Sequence, residues 1–414
     1  MSNFFNAIGV ADMEKVHSAM IAWILDDVND HKLPNYTMGS TNFSTLPIEK
    51  RSELLCELFN VKPTRKFDTI RTYVEWNDID IMIETTDKVG TEVWVVENKL
   101  KSQEHLSNVT ADQIKRWRLP KTTSKIWQTE KYVHIVNDHH YSKAHYMLLS
   151  LGGDTAECTS PHWEVCTYEK LHKLLSRLLP VNGSNPLIEE YNNSIGKLIV
   201  ELDDFIMSPG DYDKVFAKKL TKADKAKLLA SCPSFKERYI LENGLETIFQ
   251  KQFLKEYIKK AGLGTFPISI DDDNGIAEFD CTLYPYKDSM GEDMYLQVQF
   301  QAGTFKAVLI HEKYRNNERR HFDEIYGKPI WSGSWYKKFV ATEMLLNPTK
   351  KTNAWRLHLA QKTASSLNPK PRIALDKKMP VIKGKKWFDY KDSTIIKVFK
   401  DCFAETVRVV NLIK

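Results

Sequence analysis

The stretch Asn77-Asp78-Ile79-Asp80-Ile81-Met82-Ile83-Glu84 alternates apolar and polar residues, a period of two that belongs to a β-strand and not to a helix. Ile79, Ile81 and Ile83 fall on one face, and Asp78, Asp80, Met82 and Glu84 on the other. A second apolar run, Val93-Trp94-Val95-Val96, ends in Glu97-Asn98-Lys99. Glu97 and Lys99 are two apart, so their side chains share a face, about 7 Å apart along the strand. The sequence therefore predicts a strand pair, roughly 71–84 and 92–100 with a turn at Thr85–Gly90, whose surface can gather two carboxylates and an ammonium.

Ions beside so apolar a run are costly unless something compensates them, and a divalent cation would do so. Phosphodiester hydrolysis needs a hard cation to polarise the phosphate and lower the pKa of a bound water. Magnesium takes oxygen ligands, one or two of them carboxylates, with waters completing the shell. Asp80 and Glu97 can supply carboxylates, and the backbone carbonyl of Asn98 is a further candidate ligand. Lys99 can orient or help deprotonate a water and balance charge in a transition state. The plainer reading is a solvated strand end at Asp80 and a surface ion pair between Glu97 and Lys99, worth at most ~1 kcal/mol.

Upstream, residues 11–26 predict an amphipathic helix with Val16, Met20, Trp23 and Ile24 on its apolar face. Residues 27–50 read as a loop, the segment KRSELLCELF as a second helix, and 103–118 as a helix ending before Pro120. The ordered set of short motifs resembles the PD-(D/E)XK nuclease superfamily, which includes restriction endonucleases and RecB-type exonucleases. Over about residues 10–180 the resemblance rests on Glu14-Lys15-Val16-His17-Ser18 ahead of Met20–Leu25, and on Asp80-Ile81-Met82-Ile83. It rests also on Val95-Val96-Glu97-Asn98-Lys99 and on Gln113-Ile114-Lys115-Arg116-Trp117, which is similar to the QxxxY element of RecB-like nucleases. Ile79 stands where the superfamily name has Pro, and Trp117 where the element has Tyr.

The resemblance implies an α/β, restriction-endonuclease-like fold, a mixed central sheet flanked by helices. It implies a Mg²⁺-dependent nuclease, with Mn²⁺ as a substitute, acting on DNA in restriction or phage defence, with RNA open as a substrate. A homo-oligomer or a defence-system partner protein would suit that setting. Catalysis would rest on Asp80, Glu97 and Lys99 with Glu14 and Gln113 in support, and the metal on Asp80, Glu97 and Asn98. Glu14 also reads as a solvated helix carboxylate, and Gln113 as an ordinary helix-surface residue. The competing class is a non-catalytic nucleic-acid-binding or sensor protein on the same fold; a complete Asp80/Glu97/Lys99 set weighs against it.

Beyond residue 180 the pattern changes. A helix over about 187–207 ends in Ser208-Pro209-Gly210, which places a domain boundary near 210. The expectation is a nuclease domain at 1–210 and a basic α+β domain at 211–414 for nucleic-acid or partner binding. Helices are expected to about 261, then strands: Met294, Leu296, Val298 and Phe300 alternate with Tyr295, Gln297 and Gln299. A final helix covers 393–413. Residues 301–414 hold 24 Lys and Arg against 10 Asp and Glu, a net of +14, whereas the first 300 hold 35 against 44, a net of −9. Such a split suits a polyanion-binding module joined to a metal-binding one, or else a basic face kept for solubility. Trp331, Trp335, Tyr336, Trp355 and Trp387 are interleaved with these cations, and His311–Phe322 is the densest charged stretch.

The remaining signals are bland. Six scattered cysteines form no CxxC pair, so reduced thiols are expected. Asp138, His139, His140 and His145 read as a polar loop, and Asp271–Gly275 as a turn, because an EF-hand loop would need Glu where Cys281 stands. No apolar run approaches the ~20 residues of a membrane span, and the opening residues lack signal-peptide features. A cytoplasmic protein without membrane contact is expected.

Overall fold

The computed structural model describes residues 13–26, 46–62, 65–100, 104–141, 143–153, 162–179, 185–216, 222–231, 234–273, 276–289, 291, 293–311, 325, 327, 332–348, 355–359 and 372–414. The chain divides into two compact units, Met1–Asp203 with Glu242–Gly244, and Asp204–Leu241 with Leu245–Lys414.

In the first unit, α1 (Glu14–Leu25) and α2 (Ile48–Leu58) precede β1 (Thr69–Trp76), β2 (Ile79–Asp87) and β3 (Gly90–Lys99). There follow β4 (Leu106–Asn108), α3 (Ala111–Arg116), β5 (Lys125–Trp127), α4 (Gln128–Asp138), β6 (Ala144–Ser150), β7 (Trp163–Thr167), α5 (Tyr168–Leu178) and α6 (Pro186–Met207). The central sheet has the order β1-β2-β3-β6-β7. Its first three strands are antiparallel and the last three parallel. A parallel step needs a crossover, and α4 lies in the one between β3 and β6. This is the mixed α/β, restriction-endonuclease-like sheet that the resemblance implies.

Both sheet faces are covered. Met82, Val93 and Val95 pack under Tyr132 and Val136 of α4. On the other face Trp94 meets Phe59 and Phe67 edge-on and stacks on His145 at 3.9 Å, while α1 packs across β1, β2 and β3. Each fully buried aliphatic side chain of this kind contributes about 1.5–3 kcal/mol.

Three local expectations are corrected. The stretch 71–84 is two strands, because Asn77 and Asp78 both adopt positive φ (51° and 68°) and form a tight hairpin turn with Trp76 facing Ile79. Asn and Asp tolerate that conformation better than other side chains. The expected helix over 103–118 is a strand followed by a short helix: Leu106 pairs with Trp127, and a capping box between Thr110 and Gln113 starts α3 only at Ala111. The buried face of α1 also differs, since it includes His17, Ser18, Ile21, Ala22 and Leu25, with Val16 and Trp23 only half-buried.

The second unit holds α7 (Lys222–Ala230), α8 (Phe235–Glu242), α9 (Glu246–Lys260), β8 (Ile268–Asp273), β9 (Ile276–Lys287), β10 (Asp293–Gln301), β11 (Thr304–His311), α10 (Ser334–Leu346), β12 (Arg356–Leu359), β13 (Arg372–Lys378) and α11 (Ser393–Ile413). Six antiparallel strands run in the order β12-β13-β11-β10-β9-β8. The apolar alternation of β10 is buried, with Leu296, Val298 and Phe300 at 0% exposure. Its polar face is closed as well: Gln299 donates to Asp280 at 3.0 Å and accepts from Lys306 at 2.9 Å. α11 covers the apolar face, where Phe399 meets Phe300 and Phe305 at 5.1 Å each. Trp355 is core, 2% exposed, while the charged stretch after His311 and the positions Trp331, Lys350 and Lys351 lie outside the described residues. Among the described residues no helix is long and apolar enough to cross a membrane.

Candidate active site

Strands β2 and β3 and helix α4 bring Asp80, Glu97 and Lys99 together. Met82 pairs with Val95, so Asp80 and Met82 of β2 share a face with Val95, Glu97 and Lys99 of β3. The Asn98 N–H donates to Asp80 Oδ2 at 2.8 Å, which fixes the carboxylate at the β3 edge. Glu97 is 0% exposed, and its Oε1 forms an ion pair with Lys99 Nζ. Its Oε2 makes no hydrogen bond of ordinary geometry among the described residues, although the Tyr132 hydroxyl is near enough to favour its charge.

The electrostatics follow from this burial. The Glu97 pKa is pushed up to about 8, by burial first and by the charge of Asp80 second, with Lys99 opposing. Asp80 is raised to about 6, again by burial first, against the Asn98 N–H and Lys99. Burial works against the Lys99 ammonium, but Glu97 and then Asp80 and Glu14 outweigh it and hold its pKa above the ordinary lysine value. Two carboxylates thus compete for one ammonium in a space that disfavours charge. An added cation would let both ionise, and the donor set suits a hard one. Among the described residues no group of three or more His, Cys, Asp or Glu is placed to hold a metal ion. The set here is the two carboxylates Asp80 and Glu97, a number that magnesium accepts with water and backbone oxygens.

Asn98 faces the other way. Its Nδ2 donates to the Glu14 carbonyl at 3.0 Å and to Ser18 Oγ at 3.1 Å, and its Oδ1 accepts from Tyr168 Oη at 2.7 Å. Its side chain is therefore spent, and only its backbone carbonyl remains for a metal. The Glu-x-x-His-Ser motif of α1 is part of the same fastening. Ser18 Oγ donates to the Glu14 carbonyl at 3.0 Å, and buried His17 lies 3.2 Å from Tyr191 Oη and edge-on to Tyr168. The Glu14 carboxylate is half-buried and acts on the charges of both Asp80 and Lys99.

Gln113 is not in this cluster. Its Oε1 accepts from the Thr110 N–H at 2.8 Å in the α3 capping box, and the residue lines a groove beside Asp78 and Lys131. The structure instead brings Gln128 and Tyr132 of α4 to the site. Gln128 Nε2 donates to Tyr132 Oη at 2.5 Å, and Tyr132 Oη donates to the Asp78 carbonyl at 2.5 Å. Tyr132 is fully buried, and burial and then Glu97 raise its pKa far above the ordinary range. Gln128-Thr129-Glu130-Lys131-Tyr132 has the same Q-x-x-x-Y spacing as the element sought at Gln113, with the tyrosine that Trp117 lacks. That spacing was the available signal. The histidine-rich stretch is structural: Trp117 Nε1 donates to Asp138 at 2.8 Å, His139 packs on Trp76, and His145 lies 3.2 Å from Glu92.

A mixed sheet with paired carboxylates and a lysine at its centre defines a nuclease-type domain. Residues 2–180 match the family model of the PD-(D/E)XK nuclease superfamily. Searches of curated proteins and of solved structures gave no match.

Proposed function

We propose that this chain is a magnesium-dependent nuclease that hydrolyses phosphodiester bonds of DNA and serves in restriction or phage defence. The observation that carries the reading is Glu97, a wholly buried carboxyl set beside Asp80, whose charge it feels directly. Ionising that buried carboxyl costs stability unless a cation is bound. Asp80, Glu97 and the Asn98 carbonyl would hold the ion, and Mn²⁺ would substitute for it. Magnesium bound there would polarise the phosphate and lower the pKa of a water.

Lys99 is held charged, so it is suited to donate to an anionic oxygen and balance its charge, not to take a proton. Glu14 tunes the charge of Asp80 and Lys99 from the edge. Gln128 and Tyr132 hold the α4 side of the site closed. In the second unit, a groove of about 450 Å³ lined by Lys378, Lys385, Lys386 and Trp387 supports nucleic-acid binding by the basic α+β half.

Incubation with plasmid and linear DNA in Mg²⁺, against EDTA, tests the reading. Cleavage that needs Mg²⁺ and is lost in Asp80→Ala/Glu97→Ala is expected. Equal cleavage by that double variant would defeat the site assignment. A folded protein that binds DNA but never cleaves it would favour the sensor alternative.

A further inference from the structure

The segment between β3 and α4 carries a charge that its surroundings do not. Residues 1–203 hold 22 Lys and Arg against 28 Asp and Glu, a net of −6. Within them Lys115, Arg116, Arg118, Lys121 and Lys125 place five cations in eleven residues with no acid between. All five are exposed, and among the described residues only Arg116 is ion-paired, to Asp138 at 3.4 Å. A run of like charges repels itself and gains most from a polyanion.

The fold holds this run at a defined place. β4 and β5 pair at its base, with Leu106 opposite Trp127, the N-cap residue of α4. At the same base Glu104 Oε1 accepts from the Thr129 N–H at 2.9 Å and from the Thr129 hydroxyl. The insertion therefore springs from the start of the helix that carries Gln128 and Tyr132. Its inner side forms a groove of about 300 Å³ with the β1–β2 turn, lined by Asp78, Gln113, Arg116, Trp117 and Lys131. Asp78 is two residues from Asp80, and its carbonyl takes the Tyr132 hydroxyl that lies beside Glu97. Trp117 is stacked on His134 at 4.9 Å and bonded to Asp138, which fastens the insertion to α4.

We propose that this basic insertion is the phosphate-backbone clamp of the first unit: Arg116, Arg118, Lys121 and Lys125 grip a DNA duplex and the groove beside Asp78 leads the strand to the Asp80–Glu97 site. The proposal rests on the nuclease reading above and adds, to the groove of the basic second unit, a substrate contact within the acidic first one. It also gives the α3 region a role that does not depend on Gln113.

The test is the binding of a fluorescein-labelled 20-base-pair DNA duplex by the full chain in EDTA, where no metal-dependent turnover competes. Arg118→Glu/Lys121→Glu/Lys125→Glu should weaken binding by about tenfold or more near 0.1 M salt, and should lower the slope of log affinity against log salt by about 2–3. Lys121→Arg/Lys125→Arg should bind as the wild type does. Unchanged affinity and slope in the charge-reversed variant would overturn the clamp while leaving the nuclease reading intact. So would a wild type that does not bind the duplex, the result expected if the run served an acidic protein surface. A wild type that binds through these residues yet never cleaves in Mg²⁺ would sink the nuclease reading alone.

Discussion

The Tyr132 hydroxyl donates to the backbone carbonyl of Asp78 across 2.5 Å, joining the helix after the site to the turn before it. Asp78 is held at positive φ, and its side chain also accepts from Lys131 at 2.9 Å, so the turn is gripped by two successive residues of α4. Tyr132→Phe should cost about 1–2 kcal/mol by removing the donor from a part-buried carbonyl. It should also slow cleavage while leaving DNA affinity unchanged. Thermal melts and single-turnover rates check this; a variant with wild-type rate and stability would remove Tyr132 from the site.

Among the central three, side-chain chemistry predicts separable losses. Asp80→Ala and Glu97→Ala should abolish cleavage and divalent binding, measured by calorimetry with Mn²⁺. Lys99→Ala should abolish or greatly slow cleavage yet keep Mn²⁺ binding, because an ammonium has no lone pair for a metal. Loss of Mn²⁺ binding in Lys99→Ala alone would assign the residues differently.

The pH dependence of stability has a definite sign. In the folded chain Glu97 holds its proton to about pH 8 and Asp80 to about pH 6, above their ordinary values of 4.5 and 3.8. The folded state therefore binds protons that the unfolded state has released, and stability falls as pH rises through that window. The slope is at most about 1.4 kcal/mol per pH unit for each proton by which the states differ. In EDTA, Glu97→Gln should match the wild type near pH 5 and become the more stable protein by pH 8. Mn²⁺ should raise the wild-type melting temperature more at pH 8 than at pH 5. Parallel melting curves for the two proteins across that range would contradict the burial argument.

The two glutamines give opposite expectations. Gln113→Ala should loosen α3 by about 0.5–1 kcal/mol through loss of its capping box and leave the cleavage rate within twofold. Gln128→Ala should lower the rate severalfold, because Gln128 supplies the bond that orients the Tyr132 hydroxyl. Cleavage rates at limiting Mg²⁺ decide between them. A large defect in Gln113→Ala with none in Gln128→Ala would restore the assignment made from sequence.

The strand faces were legible because a period of two places Asp80 with Met82 and Glu97 with Lys99 whatever the rest of the fold does. The hairpin turn at Asn77–Asp78 was harder to see: Trp76 and Ile79 continue the apolar character on both sides, and a single Asn-Asp pair suits the polar face of a strand as well as a turn. Gln128 and Tyr132 were missed for a different reason. Their motif lies past a short insertion whose Gln113 helix has similar spacing, and local spacing cannot say which helix docks on the sheet. Burial of Tyr132 against Val93 and Val95 decides it, and that is a tertiary fact.

Asn98 has a consequence for the order in which this unit can form. Its amide needs the Glu14 carbonyl and Ser18 on one side and Tyr168 on the other, partners 84, 80 and 70 residues away in the chain. A fragment ending at Ser150 would contain every motif residue and still leave the buried Asn98 Oδ1 without its donor, at a cost of about 1–3 kcal/mol. The strand that carries Glu97 and Lys99 is therefore locked only when α5 docks, a long-range step that closes slowly. Before then a growing chain would carry the motif without a fixed site.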